Sequence, residues 1–120
     1  MATNQVTKDN FEDTVKEHPF VVLDFWAEWC APCRRFAPIF ESASEKHDDV
    51  YFGKVDTEAE QSLGMAFDIR SIPTIMVVRD GTIVHQQPGM LNADQLEQLL
   101  DAARDLDMEE VRAAVAAQQK

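Results

Sequence analysis

Phe20 to Ala27 (FVVLDFWA) is apolar at every position but one, Asp24. A strand with one wet face alternates, whereas a nearly continuous apolar run demands cover on both faces, and a sheet has that only with helices above and below it. The run therefore points to an α/β chain and puts a carboxylate inside its sheet. Asp48 to Asp56 (DDVYFGKVD) and Pro73 to Asp80 (PTIMVVRD) read as two more strands, rich in Val, Ile and aromatic residues. Arg79 to Thr82 (RDGT) supplies an Asp-Gly hairpin turn into a last strand, Ile83 to Gln87.

Helical patterns lie between these strands. Phe11 and Val15 make a short apolar face after Thr7, the predicted N-cap, and Phe36, Ile39, Phe40 and Ala43 recur at helical spacing. Asn92 and Gln95 form a capping-box pattern ahead of Leu96, Leu99, Leu100 and Ala103. The order helix, strand, helix, strand, helix, then a strand hairpin and a closing helix predicts a mixed sheet flanked by helices.

The chain has 120 residues, of which 45% are hydrophobic, enough for one core that folds without disulfide staples. Its two cysteines, Cys30 and Cys33, are thus free for chemistry. The opening residues, MATNQVTKDN, lack the basic-then-apolar layout of a signal peptide, and no stretch reaches the roughly 18 apolar residues of a membrane span. A cytoplasmic setting is expected, where thiols stay reduced and a cysteine pair serves catalysis or metal binding rather than a permanent crosslink. A net charge of −11 repels phosphate backbones and argues against nucleic acid as a partner.

Cys30 and Cys33 stand in WAEWCAPCRRF, directly after the apolar run. Pro32 fits the first turn of a helix, where its missing N–H costs nothing, so the loop is expected to end at a helix N-terminus. Unpaired N–H groups and the helix dipole there favour a thiolate, and Arg34 and Arg35 add positive charge nearby. Two intervening residues bring the second sulfur within disulfide reach of the first, so a mixed disulfide at one cysteine can be attacked by the other. A C-x-x-C is also half of a tetrahedral zinc site, but there is no third cysteine, and His18, His47 and His85 lack ligand spacing. Two inert core cysteines are a poor fit to a proline-punctuated loop beside two arginines. Redox exchange is the favoured reading.

These segments resemble the thioredoxin family. WAEWCAPC resembles its active-site segment, and DFWAEWCAPC, GKVD, FDIRSIPTIMVVRDG and PGMLNADQLEQLL follow in the family's order, across about residues 5 to 105. The resemblance implies the thioredoxin fold and a dithiol–disulfide oxidoreductase that reduces client proteins. It implies no bound cofactor, electrons from NADPH through a thioredoxin reductase, and a monomer. By position, Cys30 is then the nucleophile, expected to be exposed, and Cys33 the shielded resolving thiol. Asp24 is the buried carboxylate below them, a proton acceptor for Cys33, and Lys54 tunes its charge. Pro73 matches the family's cis proline. Trp29, Ala31, Pro32, Ile72, Thr74, Gly89 and Met90 surround it as the surface along which an extended client segment lies, while Trp26 packs beneath.

Two features depart from the family. Ala31-Pro32 stands where thioredoxins usually carry Gly-Pro, which implies a modest shift in redox poise. Beyond a domain of residues 1–106 the chain continues through 107–120, where Asp107 and Glu110 give a second capping pattern before Val111, Ala114 and Val115. This extra helix is expected to be a packed or fraying cap. Rival readings on the same scaffold are a dedicated single-client reductant, an oxidase or isomerase, or a binding or chaperone subunit, though the last needs none of Cys30, Cys33, Asp24 and Pro73.

Overall fold

The computed structural model describes residues 2–118. In chain order its elements are β1 (Thr3–Gln5), α1 (Phe11–Glu17), β2 (Phe20–Trp26), α2 (Ala31–Lys46), β3 (Tyr51–Asp56), α3 (Gln61–Ala66), β4 (Thr74–Arg79), β5 (Thr82–Pro88), α4 (Ala93–Arg104) and α5 (Met108–Gln118). The strands form one sheet in the order β1-β3-β2-β4-β5. β2 is central, parallel to β3 on one side and antiparallel to β4 on the other. This is the mixed, helix-flanked sheet with an extra closing helix that the sequence predicts.

The apolar run sits where it should. Phe20 and Val22 join Phe36 and Phe40 of α2 and Leu96 and Leu100 of α4, while Val21, Leu23 and Phe25 pack with Leu63 of α3 and against Phe11 and Val15 of α1. Alternation along β2 puts Asp24 on the α2 face, with Phe20 and Val22. Gly53, in β3, lies on the opposite face. A Cβ there would come within 2.6 Å of Val6 and 2.7 Å of Leu23, so glycine is what lets β1 and the segment after it close against the centre.

The Asp80-Gly81 turn has positive φ at both residues, 51° and 77°, the geometry that matches the twist of a two-residue hairpin. Asn92 and Gln95 form the complete capping box of α4. Several elements differ from expectation, some by a single residue at an end. α1 starts at Phe11 with Asn10 as its N-cap, because Thr7 instead closes a preceding turn, its N–H donating to Asn10 Oδ1 at 2.8 Å. β3 begins at Tyr51, since the Val50 N–H donates to the His47 carbonyl and bends the chain. β1 was not legible at all. Its three residues, TNQ, have no strand pattern and become a strand only by pairing with Phe52, Gly53 and Lys54.

α5 is the least integrated helix. The Asp107 carboxylate caps it, accepting from the Glu109 and Glu110 N–H groups, but only Met108 is buried, and one ion pair, Arg112 to Asp80 at 3.5 Å, ties it to the hairpin tip.

Candidate active site

β2 ends at Trp26, and the chain turns through buried Ala27 and exposed Glu28 and Trp29 to reach α2. Cys30 is the N-cap of α2, with Pro32 in the first turn. Its Sγ accepts from the Cys33 N–H at 3.2 Å, so a sulfur fills the role that a serine or aspartate oxygen plays at other helix starts. That donor, with the positive end of the helix, stabilises negative charge on this sulfur whenever it is released as thiolate.

Cys30 and Cys33 are joined as a disulfide, their Cα atoms 5.2 Å apart across the first helical turn. In this oxidised state both residues are buried, at 4% and 3% exposure, so exposure does not separate attacking from resolving sulfur as the sequence reading expected. Cys30 Sγ lies 3.6 Å from the Ile72 carbonyl oxygen, next to the loop that precedes β4, while Cys33 is one turn inside α2. Arg34 reaches back to donate to the Glu28 carbonyl at 2.7 Å and braces the cysteine loop from the helix.

Asp24 is fully buried, and neither of its carboxylate oxygens meets a hydrogen-bond donor among the described residues. Burial without a donor penalises the anion and raises the carboxyl pKa from 3.8 to about 7, against a smaller opposing pull from Lys54. Lys54 is the register partner of Asp24 on β3 and stands on the same face. Its ammonium lies 4.9 Å from the centre of the Trp26 ring, a cation–π contact that holds the charge beside the strand rather than in solvent. A carboxyl that exchanges its proton near neutrality thus lies on the α2 face of the sheet, two residues before Trp26, which packs against Cys30 and Cys33.

The Ile72–Pro73 peptide is cis. The Gly89 N–H donates to the Pro73 carbonyl at 2.8 Å, which anchors Gly89 and exposed Met90 beside it, and Gly89 holds a φ of 95°. Thr74 is buried, its hydroxyl donating to the Ser71 carbonyl at 2.6 Å, so it shapes the loop rather than facing outward into the main groove. Ala31 is exposed and Pro32 half-buried at the start of α2.

A groove of about 560 Å3 at this end is lined by Trp29, Ile72, Gly64, Met65 and Ile69. The wall from Gly64 to Ile69 was not foreseen from the sequence. It is built by the end of α3, where the Ile69 and Asp68 N–H groups donate to the Gly64 and Met65 carbonyls, a Schellman closure with Asp68 in the left-handed position at φ 55°. Glu58, also unforeseen, accepts from the Trp29 indole N–H at 2.9 Å and fixes the ring at the groove mouth. An Asp at the left-handed position, where glycine is usual, gives no helix-stop signal, and no spacing rule links residue 29 to residue 58.

Among the described residues, no three His, Cys, Asp or Glu side chains converge as a metal site requires. Residues 2–102 match the family model described as Thioredoxin. A relative from Streptomyces coelicolor, assigned as thioredoxin 2, is 52% identical over 98% of this chain and 88% of its own length. Thioredoxin C-3 of Corynebacterium nephridii is 38% identical over 81% of this chain and 68% of its own. Among solved structures, thioredoxin F from spinach chloroplast superposes with a TM-score of 0.80 at 33% identity, covering 87% of this chain and 95% of that one. A thioredoxin variant from Halobacterium salinarum gives a TM-score of 0.81 at 28% identity, covering 87% of this chain and 92% of its own.

Proposed function

This chain belongs to the thioredoxin family and is a protein-disulfide reductase of that fold, and from that premise we propose how its own residues divide the reaction. Cys30, as thiolate, attacks one sulfur of a client disulfide. The client's other sulfur leaves as thiolate, and a mixed disulfide joins Cys30 to the client. Asp24 in its anionic form takes the proton of Cys33, directly or through a water, and the Cys33 sulfur attacks Cys30 Sγ. The client's second thiolate departs, and the Cys30–Cys33 disulfide is left, two electrons having passed to the client. Lys54 biases Asp24 toward its anion.

The client segment lies across Trp29, Ala31, Pro32 and Ile72, beside Pro73, Gly89 and Met90, with Thr74 supporting the loop. Electrons return from NADPH through a thioredoxin reductase, and no cofactor is bound to this chain. Among the described residues no helix is long and apolar enough to cross a membrane. We place the protein's work in the cytoplasm, where a reducing pool suits this chemistry, as a monomer whose working domain is residues 1–106, with 107–120 an appended helix.

The observation that carries this reading is the Cys30–Cys33 pair closed across the first turn of α2, with the Cys30 sulfur serving as the helix cap. Coupled turnover tests it: NADPH, a thioredoxin reductase and insulin, with this protein as the varied carrier. NADPH consumption proportional to the carrier is expected. Binding of insulin without turnover would instead favour a binding or chaperone subunit.

A further inference from the structure

Trp29 at 67% exposure and Met65 at 82% are the two most exposed large apolar side chains among the described residues, and both line the same groove. Apolar side chains this open are ordinary when scattered, but two on one hollow beside a reactive disulfide mark a contact surface. Ile72 connects them to the chemistry, since it lines the groove and its carbonyl lies 3.6 Å from Cys30 Sγ. Met65 projects from a short helix whose next-door residue, Gly64, has no atom within 4 Å of where a Cβ would stand, so the wall is open to an incoming segment.

We propose that Met65 is a client-contacting residue of the reductase and its peroxide-sensitive site, its thioether packing on an apolar residue that flanks the client disulfide. The inference rests on the reading of Cys30 and Cys33 given above. An unbranched, polarisable side chain adapts to clients of different shape, as a reductase with many clients requires. The same sulfur is oxidisable. Hydrogen peroxide transfers one oxygen to the thioether, the sulfur supplies the electron pair that breaks the O–O bond, and the other oxygen leaves as water. The product sulfoxide is polar where an apolar residue is meant to pack, so client docking weakens while the disulfide chemistry is untouched. Exposure sets the order of attack: Met65 precedes Met90 at 36%, Met108 at 7% and Met76 at 0%.

The test uses the full chain in its disulfide form, so that no thiol competes for peroxide. After treatment and quenching, peptide mass spectrometry locates the added oxygen, and coupled turnover is measured on insulin and on 5,5′-dithiobis(2-nitrobenzoate), a disulfide too small to need the groove. Met65 is expected to be oxidised first among these four, with KM for insulin rising roughly fivefold, kcat held and the small disulfide reduced as before. A methionine sulfoxide reductase with dithiothreitol restores the starting KM. Met65→Gln raises KM without peroxide, and Met65→Leu, whatever its starting KM, shows no further rise on treatment. Oxidation of Met76, Met90 or Met108 ahead of Met65 would overturn the proposal, as would an unchanged KM with Met65 oxidised or an equal peroxide response in Met65→Leu. Untreated protein that reduces neither substrate would overturn the thiol reading and this inference with it, a failure distinguishable from one confined to treated protein on insulin.

Discussion

The two ends of β2 handle charge in opposite ways. At its start, the Arg79 and Arg104 guanidinium groups lie 5.1 and 5.6 Å from the Phe20 ring centre. Arg104 donates to Asp49 at 2.8 and 3.2 Å, to Asp101 at 3.0 Å and to His47 Nδ1 at 3.0 Å, and His47 Nε2 is then left to donate to Glu97 at 2.7 Å. Arg79 Nη1 donates to the Ala103 and Arg104 carbonyls at the end of α4, while its Nε is buried without a partner among the described residues. At the other end Asp24 is fully buried, with no donor at either oxygen among the described residues. Polar groups that are matched hold α2, α4 and the sheet together. A polar group left unmatched keeps a carboxyl whose proton is exchangeable near neutrality, the property that the proposed reaction draws on.

The largest effect expected lies at the unmatched end. Cys30→Ser removes the attacking thiolate and should abolish insulin reduction. Cys33→Ser should also stop turnover, but after attack, leaving clients bound as mixed disulfides that dithiothreitol releases. Non-reducing gels of each variant mixed with a disulfide client read the difference. Equal trapping by both, or trapping by Cys30→Ser alone, would overturn the roles proposed for the two cysteines and take the role of Asp24 with them.

Next is Asp24 itself. In the folded protein its carboxyl holds a proton up to about pH 7, whereas the unfolded chain releases it near the ordinary value of 3.8. Between those limits the folded state binds more protons, so the contribution is fully present below the unfolded pKa and lost as pH rises through about 7. The loss amounts to something on the order of 4 kcal/mol. Asp24→Asn should flatten that slope and leave the oxidised protein the more stable of the two at about pH 8, as read from urea midpoints. It should also slow resolution of the mixed disulfide more than its formation. A slope that persists in the variant, or two exchange steps untouched between about pH 6 and 9, would show that this end is not the unmatched one.

How much of this contrast was legible in the sequence follows from the range of the forces involved. The cap on α2, the Asp-Gly turn and the α4 capping box are local, so WCAPC, RDGT and NADQ announce them. Burial of Asp24 was legible because its neighbours on β2 leave it nowhere else to go, and its site role came with the resemblance. The matched end was not legible: His47, Asp49, Glu97 and Arg104 are brought together over a separation of 57 residues, and nothing in their local patterns calls for it. β1 and the Met65 wall failed for the same reason, since a partner strand makes the first and a helix closure that uses Asp68 in place of glycine makes the second.

A smaller effect is expected from α5, which belongs to neither end. A chain cut after Leu106 loses the burial of Met108 and the Arg112–Asp80 pair, worth about 1–2 kcal/mol together. Insulin turnover should be retained, because no α5 residue lines the groove beside the cysteines. Loss of activity in a truncated protein that still unfolds cooperatively would make the helix a functional element and add a third region to the comparison.

The smallest effect is the sharpest check on the matched end. Arg104 is a third exposed and Asp49 more than half, so their ion pair is partly screened, even though the hydrogen bond from Arg104 holds the Asp49 carboxyl below its ordinary range. Arg104→Ala should therefore cost about 1 kcal/mol rather than several, lowering the urea midpoint slightly and more at low salt than at high. The rates of attack and resolution should stay at their starting values, because Cys30, Cys33 and Asp24 draw nothing from this cluster. If stability falls slightly and resolution slows with it, the two ends of β2 are coupled through α2, which carries Cys33 at its start and is followed at once by His47. The contrast between a structural end and a chemical end would then have to give way to a single cooperative unit. Rates that stay fixed while the midpoint falls would show that the matched charges stabilise the fold without entering the reaction.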